Sequence, residues 1–159
     1  VRRSGPLGGW APADINQLLD IETAAAGMSG VSLATTYRVN LADGGVDAVL
    51  RRAVPTRWLP AGDSAWQFKA GDRSPQKCAD ELKEAAAALE LLRGGGKYRL
   101  VIGEGLTDQK VKNRREKLIA QAEESLDITI DRNDEVIEVL DANSLARWVQ
   151  EYPCLAVSP

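Results

Sequence analysis

Between Pro12 and Ala26 the apolar positions repeat at helical spacing. Ile15, Leu18, Leu19 and Glu22 fall on one face, which predicts a first helix that stops at Gly27. The pattern then changes to that of strands. Val31 to Val39 is rich in Val, Thr and Tyr, Asn40 to Gly45 supplies turn residues, and Val46 to Leu50 resumes strand character. Arg51 to Gly62 is broken by prolines and a glycine, after which Ala65 to Lys69 reads as a further antiparallel strand ended by Ala70-Gly71-Asp72. Ser74-Pro75 marks a helix start, a capping hydroxyl followed by proline in the first turn. The Ala- and Leu-rich run behind it continues to Arg93, where Gly94-Gly95-Gly96 ends it. Tyr98 to Ile102 is a compact apolar run suited to a buried parallel strand, and Thr107 caps a helix that reaches Ser125. Ile128 to Ile130 and Val136 to Leu140 read as short strand-like segments. Asp141 or Asn143 then caps a last helix that carries Trp148 and stops before Pro153. The predicted fold class is α/β, a mixed central sheet flanked by helices in the order αβββαβ, with further α and β elements behind it.

A chain of 159 residues has room for one domain with a real core, expected over 12–152, with 1–11 as a flexible leader and 153–159 as a tail or the start of a linker. The 44% hydrophobic and 27% charged composition fits an ordinary globular protein and excludes wholesale disorder. Two cysteines, Cys78 and Cys154, stand far apart without a partner motif, and no signal-type or membrane-spanning stretch is seen, so a reducing cytoplasm is the expected compartment.

Charge narrows the chemistry. With a net charge of −3, a polyanion would have to be met by a local basic patch. Lys110, Lys112, Arg114, Arg115 and Lys117 form one such patch on the helix after Thr107, either tracking phosphates or serving as a solvated face balanced by Glu116, Glu123 and Glu124. The absence of histidine excludes Ser-His-Asp triads and His-Cys zinc sites. Asp47 lies on the second strand and Gln67-Phe68-Lys69 on the third, and side-chain alternation puts Gln67 and Lys69 on one face with Phe68 on the other. The Asp47 carboxylate and the Gln67 amide oxygen suit a hard divalent cation. Lys69 beside them would orient or help deprotonate an attacking water and offset charge on a phosphodiester transition state. In the alternative reading, Gln67 and Lys69 are the polar side of a solvent-facing strand.

Gly44-Gly45-Val46-Asp47 followed by Trp66-Gln67-Phe68-Lys69 resembles the PD-(D/E)xK nuclease superfamily, and more narrowly its Mrr-like branch, in which glutamine replaces the second acid. The resemblance spans roughly Ala13 to Glu104 and includes the element order. It implies a restriction-endonuclease-like core and a Mg²⁺-dependent endonuclease of double-stranded DNA, with Mn²⁺ as a substitute cation. Asp47 and Gln67 would be metal ligands and Lys69 the catalytic lysine. The family often places one more acid on the first helix, which points to Glu22 as a third ligand. The other reading has Glu22 paired with an arginine or reaching solvent at the edge of its apolar stripe. Asp43 would shape the turn or join the metal shell. Ser74, at a helix start beside the catalytic strand, is a further candidate for phosphate contact. Trp58 and Trp66 are expected in the core. The segment Leu140-Asp141-Ala142-Asn143-Ser144-Leu145-Ala146-Arg147-Trp148-Val149 and the uncharged tail are similar to effector domains fused ahead of signal-transducing NTPases in bacterial antiphage defence. Cutting both strands implies a homo-oligomer, a dimer or higher. A catalytically idle DNA-binding or oligomerisation module is the alternative function.

Overall fold

The computed structural model describes residues 3–4, 9–27, 33–35 and 44–153, with the backbone alone at 3–4, 9 and 33–35. The elements run β1 (Arg3–Ser4), β2 (Gly9–Trp10), α1 (Pro12–Ala25), β3 (Leu33–Thr35), β4 (Ala48–Ala53), β5 (Gly62–Lys69), α2 (Pro75–Glu84), α3 (Ala86–Arg93), β6 (Lys97–Ile102), α4 (Asp108–Leu126), β7 (Ile137–Leu140) and α5 (Ala142–Gln150). β1 and β2 form a small antiparallel pair, and the other strands form a five-stranded sheet in the order β3-β4-β5-β6-β7. The β3–β4 and β4–β5 pairs are antiparallel, whereas β5–β6 and β6–β7 are parallel. The chain is thus an α/β protein built on a mixed sheet flanked by helices.

Strand alternation sorts the core into two layers. On one face, Ala65, Tyr98, Leu100 and Ile102 pack against Cys78 and Leu82 of α2, Leu92 of α3, and Leu118 and Ile119 of α4. On the other, Ala48, Leu50, Trp66, Phe68 and Val101 pack against Ile15, Leu18 and Leu19 of α1 and Leu145 and Trp148 of α5. Each fully buried side chain of Leu or Phe size contributes ~1.5–3 kcal/mol, so these two layers are the main source of stability. Trp66 is fully buried as expected, and Trp58 stacks on Trp148 with ring centroids 5.4 Å apart.

Helix starts follow local chemistry. The Asp14 carboxylate accepts the Ala11 N–H at 2.9 Å behind Pro12, and the side chains of Ser74, Thr107 and Asp141 accept the N–H groups of Lys77, Lys110 and Ser144. Of the two caps considered for the last helix, Asp141 is the one used.

Four expectations are corrected. The first is the end of the expected leader, because Gly9–Trp10 is a strand, the Trp10 side chain is buried among the α1 and α5 residues, and the Trp10 backbone N–H donates to the Gly103 carbonyl at 3.2 Å. Burying a ring of that size is a large apolar gain. The second is the unbroken helix from Ser74 to Arg93, which is divided at Ala85 into α2 and α3. The third is the strand at Ile128 to Ile130, which belongs instead to the return from α4. Asp127 adopts the left-handed conformation at the helix end, and the Ile130 N–H donates to Glu123 rather than to a sheet neighbour. The fourth is the end of the second strand, which continues through Ala53 by way of an irregularity at Arg52. Arg52 has φ 53°, held there because its N–H and the Arg51 guanidinium both donate to Asp63. Asp43, Cys154, the stretch from Thr36 to Val39 and the tail from 154 onward lie outside the described residues. Among the described residues, no helix is long and apolar enough to cross a membrane.

Candidate functional site

The site is assembled where β4 begins and β5 ends. Gly44 and Gly45 both have positive φ (68° and 76°) and lie directly against the junction of α2 and α3. The Gly44 carbonyl accepts the Ala87 N–H at 3.0 Å, and a Cβ on Gly45 would sit 2.5 Å from the Ala85 Cβ. This close approach explains the helix break. The turn occupies the groove at Ala85, and Ala87 donates to the turn there. The same turn delivers Asp47 to the head of β4.

Asp47 is fixed twice to β5. Its N–H donates to the Trp66 carbonyl at 2.8 Å, and its Oδ2 accepts the Phe68 N–H at 2.7 Å. Ala48 pairs with Trp66, so Asp47 stands just ahead of the first paired residue of β4, against the Trp66–Phe68 stretch of β5. The carboxylate therefore extends the ladder between the two strands, beside the Gln67 position.

Gln67 shares a face with Ala65 and Lys69, while Trp66 and Phe68 enter the opposite layer, as alternation requires. Its amide is buried, and its Oε1 accepts the Tyr98 hydroxyl at 2.5 Å. Burial pushes the Tyr98 phenol well above its usual range, helped by the nearby charges of Glu81 and Asp47, so Tyr98 remains a proton donor to the amide oxygen. Lys69, the last residue of β5, places its Nζ 3.3 Å from Glu81 Oε2, and Arg73 Nε lies 3.7 Å from the other Glu81 oxygen. A cleft of about 400 Å³ opens on this side, lined by Gly45, Gln67, Lys77, Asp80, Glu81 and Glu84. Cys78 is buried close by, and burial raises its thiol to about 11, which keeps it protonated at neutral pH.

Other expected site residues go elsewhere. Glu22 is buried in the α1/α5 layer, where its Oε2 accepts both the Trp148 indole N–H at 3.0 Å and the Tyr152 hydroxyl. Burial, then that hydrogen bond, raises the Tyr152 phenol. Two aromatic donors thus satisfy the carboxylate that the sequence left unexplained, and Glu22 faces α5 rather than the Gln67 and Lys69 side of the sheet. Arg114 and Arg115 are corrections to the basic patch. Arg114 is buried, with its guanidinium donating to both oxygens of Asp72 and to the Arg73 carbonyl. Arg115 donates to Glu138, the Ile137 carbonyl and the Arg132 carbonyl. Both are committed to holding α4 against the sheet side of the fold, while Lys110 and Lys112 remain exposed on α4. Ser74 is exposed, and its hydroxyl is used as the α2 cap.

Two residues of the site escaped the sequence reading. Tyr98 sits inside an apolar run that predicts core packing and nothing more. Glu81 lies beside Cys78 and Leu82 on the buried side of α2, an acid adjoining an apolar stripe, which is the signal that could have marked it.

Among the described residues, no group of three or more acidic, Cys or His side chains is placed to hold a metal. The oxygen donors on the Gln67 side are the Gln67 amide and the cleft-lining carboxylates of Asp80, Glu81 and Glu84, with Asp47 at the head of β4. Oxygen donors of this kind are the ligand type that a hard cation such as Mg²⁺ takes, together with waters. No family model matches the chain, and no curated protein or solved structure matches it.

Proposed function

We propose that the protein is a Mg²⁺-dependent endonuclease that hydrolyses the phosphodiester backbone of double-stranded DNA. The observation that carries this reading is the junction of β4 and β5, where Asp47 is hydrogen-bonded to Trp66 and Phe68 on either side of Gln67, and Lys69 follows on the Gln67 face of β5. Asp47 and Gln67 would hold the cation, which when bound supplies positive charge at the scissile phosphate. Tyr98 orients the Gln67 oxygen toward its role by donating to one lone pair and leaving the other for the cation. Lys69 presents an ammonium from a paired strand, where it balances the charge that grows on the phosphate oxygens and steers the attacking water. The resemblance to Mrr-like nucleases supports the same assignment and extends it to an effector role in restriction or antiphage defence.

DNA would be met by Lys110 and Lys112 on α4 and by the start of α2 at Ser74, contacts that position a duplex without reading its sequence. Double-strand cutting by this single site calls for a second copy of the chain or two successive nicks.

The test is nicking of supercoiled plasmid in Mg²⁺, with EDTA as control. The wild type should convert plasmid to open-circle and linear forms. Lys69→Ala should lower the rate by at least ~100-fold, the scale of losing one preorganised stabiliser of transition-state charge. Equal cutting by the variant would overturn the assignment. A wild type that retards DNA in a gel but never cuts would favour the idle DNA-binding module.

A further inference from the structure

We infer that Glu81 is a positioning residue for Lys69, an inference that rests on the nuclease reading of the Asp47–Gln67–Lys69 site. A lysine head sits on a flexible four-carbon stem with ~2 kcal/mol of rotamer entropy, so an ammonium that must act at one point needs a partner to hold it. Glu81 is that partner at 3.3 Å, and both side chains are largely shielded, with 17% and 23% of their surface exposed. Shielding separates this pair from the exposed ion pairs that contribute little.

Glu81 is itself held. Arg73 approaches its second oxygen at 3.7 Å, and the segment carrying Arg73 is tied to α4 by the two hydrogen bonds between Arg114 and Asp72. Glu81 Oε2 is closed off from solvent and takes no hydrogen bond, so the Lys69 ammonium is the charge that balances it. Glu81 also lines the cleft beside Gln67, and Lys69 shares the Gln67 face of β5 by strand alternation. The functional pattern thus extends from Gln67-Phe68-Lys69 to Glu81 on α2, with Arg73 bracing the acid from behind.

Glu81→Gln and Glu81→Asp in the full chain provide the test. Acetylation of Lys69 by an N-hydroxysuccinimide ester, followed by peptide mass spectrometry, reads the state of the lysine without any need for catalysis. Single-turnover nicking in Mg²⁺, plasmid affinity in Ca²⁺ and Mn²⁺ binding by electron paramagnetic resonance complete the set. In Glu81→Gln, Lys69 acetylation should accelerate about threefold or more relative to Lys110 as the ion pair is lost. Single-turnover nicking should fall about 10- to 100-fold, as for a misplaced catalytic group, with DNA and Mn²⁺ affinities held within about twofold. Glu81→Asp should restore part of the rate. Wild-type acetylation and nicking in Glu81→Gln would overturn the inference. Loss of Mn²⁺ binding would also overturn it, by making Glu81 a metal ligand instead. If the wild type never nicks but Glu81→Gln still exposes Lys69 to acetylation, the nuclease reading fails and the coupling of Glu81 to Lys69 stands.

Discussion

Asp47→Asn is expected to abolish Mg²⁺-dependent nicking while leaving the protein folded. The carboxylate has two duties, and this substitution separates them. As an acceptor it closes the ladder by taking the Phe68 N–H at 2.7 Å, and an asparagine oxygen can do the same. As an anion it is the charged ligand of the proposed cation, and an amide cannot replace that charge. Changes to the outer partners of a metal ligand typically cost ~10–100-fold, so loss of the charged ligand itself should cost at least ~100-fold in rate. Asp47→Ala should behave differently. It strands the N–H of the fully buried Phe68, which costs about 1–3 kcal/mol of stability in addition to the loss of activity. Plasmid nicking and thermal melting measured on both variants check the separation. An Asp47→Asn protein that cuts at the wild-type rate would remove Asp47 from the site.

The largest effect on stability is expected from Gly45→Ala. Two costs add at this position. The backbone has φ 76°, where a Cβ costs ~1–2 kcal/mol. The new methyl would also lie 2.5 Å from the Ala85 Cβ and 2.7 Å from its Cα, atoms carried by the helix backbone that cannot swing aside. Overpacking of that kind costs ~1–3 kcal/mol, so the sum is about 4 kcal/mol, equivalent to a fall of roughly 10 °C in melting temperature for a chain of this length. Activity should fall with it, since the turn that would be pushed out carries Asp47 to β4. A melting temperature within about 2 °C of the wild type would show that the turn is not packed in this way.

The face of each site residue was legible in the sequence, whereas its partner was not. Alternation along β5 placed Gln67 and Lys69 together and Phe68 opposite, because a strand's period is fixed by its backbone. Tyr98 reaches Gln67 only because β6 pairs with β5 in a particular parallel register, with Gln67 opposite Leu100, and no local pattern sets that register. Glu22 was readable as a carboxylate in need of a partner, but Trp148 and Tyr152 come from the far end of the chain. The charge run on α4 marked a basic helix without saying which cations are spent. Arg114 is taken by Asp72 and Arg115 by Glu138, each from a distant segment. The break at Ala85 was hidden for a related reason. An Ala- and Leu-rich run contains no local breaker, and the interruption comes from the glycine turn packed against it.

That interruption also changes what one backbone amide measures. In a continuous helix the Ala87 N–H would exchange with solvent when its own helix unwinds. Here it is bonded to the Gly44 carbonyl, so its exchange with deuterated water follows undocking of the turn. The Ala87 amide therefore serves as a built-in gauge of how often the turn that leads to Asp47 leaves its place, readable with neither substrate nor metal.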